Sequence, residues 1–264
     1  LRTDGKCVLI TGCDSGFGNG LAKYLDDLGV SVIATCYDDK SPGAIELKKI
    51  ASDKLHVLRM DVGQDDSVKE CLEKVEEICR ETGLWGVVNN AGINFLGDIE
   101  LCTMKQYLDT SNVNMYGMVR VTKAFLPLLR KKSGRIVNVT SVKARISLPC
   151  NSVYGITKYG GDAFSNALRQ EMKKFGIKVV IIEPGNFGGA TGCLNKEGTS
   201  RIKKDMDIMW ENASQEIKEV YGQEYHQGLY NAAKQSATTT CPTLQPVLNA
   251  FKDALLNEEP ETRY

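Results

Sequence analysis

Short apolar runs rich in β-branched residues alternate along this chain with longer amphipathic stretches. The short runs are Cys7–Thr11, Val30–Ala34, Leu55–Met60, Trp85–Asn89, Arg135–Thr140 and Ile177–Ile182. Several are apolar at almost every position, as a strand buried on both faces should be. Between them, residues 18–29, 42–51, 64–82, 103–131 and 152–175 carry helical patterns. Strand and helix in alternation imply parallel strands joined by right-handed crossovers, with helices on both faces. The expected fold is therefore α/β: a doubly wound, Rossmann-type parallel sheet. No repeat, low-complexity tract or linker interrupts the chain, so residues 1–264 are expected to form a single domain.

After Ile182 the pattern changes. Residues 185–240 hold Gly185, Gly188, Gly189, Gly192 and Gly198, then a polar helical stretch with Met206, Met209, Trp210, Tyr221 and Tyr225. Ligands of a doubly wound sheet bind beyond the carboxyl ends of its strands. A glycine-hinged segment after the sixth strand is placed to act there as a substrate lid. The alternative is an ordinary helical excursion with its aromatics in a core.

Composition narrows the function. The chain has 264 residues, 42% of them hydrophobic, enough for a core without covalent staples. Basic and acidic residues balance at 33 each, so nothing marks a nucleic-acid partner. The basic run Arg130-Lys131-Lys132 reads as cations at a helix C-terminus. Nine cysteines form no C-x-x-C pair and read as buried free thiols in a reducing, intracellular compartment. The two histidines, His56 and His226, lack metal-ligand spacing, which argues against a metal site and a Ser-His-Asp triad. No apolar run of 18 residues predicts a membrane span. The first residue is Leu1, so an upstream anchor or targeting peptide is open; with one the protein is expected at mitochondria or the endoplasmic reticulum, otherwise in the cytoplasm.

The first strand runs into Thr11-Gly-Cys-Asp-Ser-Gly-Phe-Gly18, with Gly12, Gly16 and Gly18 at the strand-to-helix turn. Missing side chains there let backbone approach a pyrophosphate, and a helix N-terminus offers N–H donors to it. Asp14, Ser15 and Phe17 belong to the same turn. The second strand ends at Cys36, where an acidic residue would bind a ribose diol, and Asp38 follows two residues on. No arginine stands nearby for a 2′-phosphate, so NAD is the expected cofactor, with Cys36 and Asp38 at its ribose. Asp61-Val62 and Asn90-Ala91-Gly92 end the third and fourth strands at the same edge.

Tyr154 lies thirteen positions after Ser141, and Lys158 follows four later. Positions i and i+4 share a helix face, so the Lys158 ammonium is expected near the Tyr154 phenol. A close cation favours phenolate and lowers the tyrosine pKa toward neutrality, suiting it to general acid/base work. Ser141 is then placed to hydrogen-bond the oxygen whose proton is moving.

Together these residues resemble the short-chain dehydrogenase/reductase family. The matching pieces, from about residue 5 to 190, are Thr-Gly-x-x-x-Gly-x-Gly at 11–18, Asn-Asn-Ala-Gly at 89–92, Asn114, Ser141, Tyr154-x-x-x-Lys158 and Pro184-Gly185. The resemblance implies Tyr154 as acid/base, with Lys158 lowering its pKa and binding the nicotinamide ribose. It implies that Ser141 positions the substrate oxygen and that Asn114 holds a proton-relaying water. Pro184, Gly185 and Phe187 would line the nicotinamide; the usual carboxamide threonine is Gly189 here, so Thr191 is the expected substitute. Gly12-Cys-Asp-Ser-Gly-Phe-Gly18, Leu84-Trp-Gly86, Glu183-Pro-Gly-Asn-Phe187 and Thr262-Arg-Tyr264 look like the branch holding retinol dehydrogenases, hydroxysteroid dehydrogenases and mitochondrial D-3-hydroxybutyrate dehydrogenase. By the same resemblance, helices 103–131 and 152–175 form a homodimer or homotetramer interface, and membrane association would come from segments outside this chain.

The expected partner is a small alcohol or ketone. A pocket roofed by Met206, Met209, Trp210 and the tyrosines would suit a steroid or retinoid. Hydroxybutyrate would instead need a cation such as Lys143 or Arg145 for its carboxylate. A non-catalytic NAD-binding scaffold is the remaining alternative, since a fold does not fix a function.

Overall fold

The buried apolar runs become six strands: β1 Cys7–Thr11, β2 Ser31–Cys36, β3 Leu55–Arg59, β4 Gly86–Asn89, β5 Arg135–Val139 and β6 Lys178–Ile182. They form one sheet in the order β3-β2-β1-β4-β5-β6, and every neighbouring pair is parallel. This computed structural model describes residues 3–264 except 192 and 195; Gly192, one of the expected hinge glycines, lies outside the described residues.

Among the described residues ten α-helices accompany the strands: α1 Gly16–Asp27, α2 Pro42–Ile50, α3 Asp65–Ile78, α4 Met104–Ser111, α5 Gly117–Arg130, α6 Ser152–Met172, α7 Lys196–Asn212, α8 Gln215–Tyr221, α9 Gln223–Gln235 and α10 Gln245–Leu256. Side chains alternate across each strand, so each face of the sheet has its own core. Val8, Ile10, Ala34, Val137 and Val180 pack with α1, α2 and α10. Leu9, Ile33, Val87, Ile136 and Val179 pack with α3, α5 and α6 on the other face. This is the doubly wound arrangement that the pattern predicts. Its strand order reverses between β1 and β4, which opens a crevice at their carboxyl ends.

Two features depart from the expected elements. The helix predicted over 103–131 starts from a Thr103–Gln106 capping box, but a π turn at Asn112–Tyr116 divides it into α4 and α5. That turn sends Asn114 inward, leaving it 1% exposed. α10 adds a further helix, whose Val247, Leu248, Phe251 and Leu255 close the first core. Beyond it the chain returns along β6: Ile181 N–H donates to Thr262 O (3.1 Å), and Glu183 N–H donates to Tyr264 O (2.9 Å).

The segment after β6 has a core of its own. Ile202, Met206, Met209 and Ala233 pack against Phe95, Leu101 and Val153. Tyr221 and Tyr225 donate hydrogen bonds to Glu100 (3.1 Å) and Asp98 (2.9 Å), joining this layer to the chain after β4.

Candidate active site

Backbone crowding explains the glycines of the first turn. Gly12 has φ +70°, and a Cβ there would come within 2.8 Å of Ala91 Cα. Gly16 has φ +61°, and its Cβ would meet Thr191 O at 3.0 Å. A Cβ on Gly18 would meet Gly12 O at 2.4 Å and the Asn90 amide at 2.6 Å. Gly18 therefore lets α1 pack onto the strand end and is absent from the cavity wall, a correction to its expected cofactor contact. Thr11 Oγ1 accepts from the N–H groups of Asn90 (3.0 Å) and Ala91 (2.9 Å), fastening β4 to β1. Ser15 at the start of α1 makes no side-chain cap, so first-turn N–H groups of α1 lack a capping side chain. Such a helix end suits an anionic phosphate.

The second-strand expectation needs correcting. Cys36 is fully buried in the core, because strand alternation turns it inward, and it does not line the cavity. Asp38 also lies outside the lining; its carboxylate accepts from Lys40 N–H at 2.9 Å. The carboxylate that does line the cavity here is Asp14. Its two carboxylate oxygens accept from Tyr37 N–H (2.9 Å) and Asp38 N–H (3.0 Å), holding a negative charge between the first turn and the end of β2. Tyr37, Met60 and Gly63 line the same part, without a sequence motif to announce them.

A cavity of about 1120 Å³ runs along the carboxyl edge. One part is lined by Gly12, Asp14 to Phe17, Asp61, Val62 and Asn90 to Gly92. Further along, Ser141, Tyr154, Lys158, Pro184, Gly185, Phe187 and Thr191 face it. Its outer wall is Leu96, Leu148 and Cys150, with Leu194, Leu229 and Ala233 from the segment after β6. Met206, Met209, Trp210, Tyr221 and Tyr225 are absent from that lining. They pack within the layer itself or face its acidic partners, so the expected aromatic roof is replaced by aliphatic side chains.

Ser141 begins a 3-10 turn, Val142–Ala144, and its Oγ accepts from Lys143 N–H at 3.2 Å. Tyr154 stands in the first turn of α6 with Ser141 nearby, and the Ser141 hydroxyl itself donates to Pro184 O at 3.4 Å. Lys158, one turn on, donates to Val139 O at 3.0 Å, with its Nζ 5.4 Å from the Tyr154 ring centroid. The three residues do meet, but the expected electrostatics are reversed. Burial pushes the Tyr154 pKa up, and the nearby Ser141 hydroxyl opposes this only in part. Burial also pulls Lys158 down to about 8. Desolvation outweighs the neighbouring cation because the ammonium is turned to a backbone carbonyl.

Asn114 does not line the cavity. Its Oδ1 accepts from Ile93 N–H (2.8 Å), and its Nδ2 donates to Ile93 O (2.9 Å) and Thr157 Oγ1 (3.1 Å). It braces the end of β4 against α6. Thr191 is buried and donates to Phe187 O at 2.9 Å, which fixes the loop after Pro184-Gly185.

The model of the short chain dehydrogenase family matches residues 6–200. The chain belongs to this family. It is an oxidoreductase acting on a CH–OH group of a small molecule. Among similar short chain dehydrogenases, mitochondrial D-beta-hydroxybutyrate dehydrogenase of Bos taurus is 42% identical over 263 residues, covering 98% of this chain and 76% of that protein. Estradiol 17-beta-dehydrogenase 2 of Mus musculus is 43% identical over 267 residues, covering 100% and 68%. Retinol dehydrogenase 16 of Homo sapiens is 42% identical over 260 residues, covering 98% and 80%. A solved 3-ketoacyl-(acyl-carrier-protein) reductase of Brucella melitensis, complexed with NADH, is 27% identical with a TM-score of 0.66, covering 70% of this chain and 77% of that one. The nicotinamide dinucleotide of such enzymes fits the features already described: two glycines at positive φ, a helix start without a side-chain cap, and a carboxylate at the end of β2.

Proposed function

We infer that this short chain dehydrogenase uses NAD to interconvert a secondary alcohol and a carbonyl. The observation that carries this is the meeting of Ser141, Tyr154 and Lys158 on the cavity that also reaches the glycine turn. The cofactor supplies the hydride acceptor and donor. Tyr154 Oη takes or gives the substrate proton, and Ser141 Oγ hydrogen-bonds the substrate oxygen. Lys158 supports the nicotinamide ribose and adds positive charge beneath the phenol. Asn114 keeps the floor of the site in place and serves the proton path behind Lys158.

Asp14 supports NAD over NADP, because a 2′-phosphate beside its carboxylate would meet like charge. NADP is expected to bind at least tenfold more weakly than NAD, and Asp14→Asn to narrow the gap. Isothermal titration of both dinucleotides checks this; a tighter NADP complex would contradict it.

The aliphatic outer wall supports a substrate with an apolar body, as a steroid, a retinoid or an acyl chain provides. We read residues 1–264 as a single domain, with the segment at about 185–240 as its lid. Exposed Met104 and Leu108 on α4, and Ile156 and Tyr159 on α6, support a homodimer or homotetramer through these helices. Among the described residues no helix is long and apolar enough to cross a membrane. A mitochondrial location would follow the hydroxybutyrate relative. The direct test measures NADH formation with a hydroxysteroid, retinol and 3-hydroxybutyrate. NAD binding with no turnover across a broad panel of secondary alcohols would leave a scaffold instead.

A further inference from the structure

A half-buried amine that meets no carboxylate is set to receive an anion, because a desolvated charge needs an opposite charge or strong acceptors. Lys143 is such an amine. It follows Ser141 by two residues, lines the cavity, and holds its Nζ 5.3 Å from the Tyr154 ring centroid. Its side-chain acceptor is the neutral Asn151 Oδ1, and it forms no ion pair among the described residues. Burial pulls its pKa below the ordinary lysine value, a sign that water solvates it poorly.

The other cations nearby are committed or exposed. Arg145 pairs with Glu183 (2.9 Å) and Asp162 (3.6 Å) and does not line the cavity. Lys158 is turned to Val139 O. Arg201, on α7, lines the outer wall but is exposed. Of the two cations expected from the sequence as carboxylate partners, Arg145 is thereby held by carboxylates of the protein, whereas Lys143 meets only a neutral amide.

We propose that Lys143 is the anion anchor of the substrate site, so that the substrate is a hydroxy acid whose carboxylate lies within a few bonds of the reacting carbinol. This rests on the dehydrogenase reading above. A charge-assisted hydrogen bond of about 2.8 Å from Lys143 sets the carboxylate beside Tyr154. The carbinol oxygen of a 2- or 3-hydroxy acid then reaches Ser141 and Tyr154, and its hydrocarbon part faces Leu96, Leu148 and Leu229. A neutral alcohol would bury the same ammonium against hydrocarbon.

Binding can be read without chemistry. Acetoacetate and its uncharged methyl ester are each titrated into the enzyme–NAD complex, where no hydride is present to reduce the ketone. The acid is expected to bind about ten- to a hundredfold tighter than the ester, the range of a hydrogen bond to a charged group. Lys143→Met is expected to collapse that ratio to near one, while Lys143→Arg retains most of it. The proposal falls if the ester binds as well as the acid, or if Lys143→Met leaves the ratio unchanged. Turnover of 3-hydroxybutyrate and its methyl ester is measured alongside. Discrimination in binding with no NADH formed from any alcohol would overturn the dehydrogenase reading and keep the anchor; turnover of neutral alcohols without discrimination would do the reverse.

Discussion

Tyr154→Phe is expected to lower turnover by roughly 10²–10⁴-fold, the usual contribution of a general acid/base, with NAD affinity nearly unchanged. The substitution keeps the ring that sits in the first turn of α6 and removes only its phenol oxygen. Stability should change little, so the loss would be one of chemistry. Burial keeps this phenol protonated at neutral pH, which equips it to donate a proton to a carbonyl. Alcohol oxidation asks for the phenolate, and Lys143 and Lys158, at 5.3 and 5.4 Å from the ring, are the cations placed to favour it. The rate of oxidation should therefore rise with pH, while reduction holds across neutrality. Steady-state rates in both directions against pH check this, and a Tyr154→Phe enzyme with wild-type turnover would refute the assignment.

Lys158→Met is expected to abolish most activity and yet stabilise the fold near pH 7. The buried ammonium has its pKa pulled from 10.5 to about 8, so the folded state disfavours the charge. Below pH 8 both folded and unfolded chains carry the proton, and the full penalty applies. As pH rises from about 8 toward 10.5, the folded chain sheds the proton first. The unfolded state then binds more protons, so stability rises with pH in that window. The displacement corresponds to about 3 kcal/mol, of which about 1 kcal/mol is returned when Val139 O loses its donor. Thermal unfolding of wild type and variant between pH 7 and 10 measures this. A variant less stable than wild type at pH 7, or a wild type with no upward slope, would contradict it.

Much of the fold is legible because a parallel strand buried on both faces announces itself as an apolar run. β1 follows Cys7–Thr11, and the other strands shift by only a residue or two. The π turn is hidden, because helical periodicity is present on either side of it and one extra residue leaves little trace. α10 carries helical apolar spacing at Val247, Leu248, Phe251 and Leu255 that is visible in the sequence. In the site, Tyr154 and Lys158 are legible through helical spacing taken together with the glycine turn, Asn-Asn-Ala-Gly and Ser141. Asp14 is legible as part of the first turn, but its contact with the amides of residues 37 and 38 is not, since these are brought to it across the sheet. Nor does an apolar helix stripe say which surface it meets, and so Met206 and Met209 enter a local core rather than the cavity. The sign of the Tyr154 shift also escapes sequence, because it turns on depth and on where one ammonium points.

The chain that grips the segment after β6 also shapes the wall around the substrate. Asp98 accepts from Tyr225 (2.9 Å) and contacts the Cys150 thiol (3.5 Å), while Gly97 N–H donates to Cys150 O (2.8 Å). Cover and wall are thus coupled in series through a few atoms. Were that segment to lift as the proposed lid, these contacts would pull on the wall with it, so that product escape and loss of the pocket's contour would be a single mechanical event rather than two.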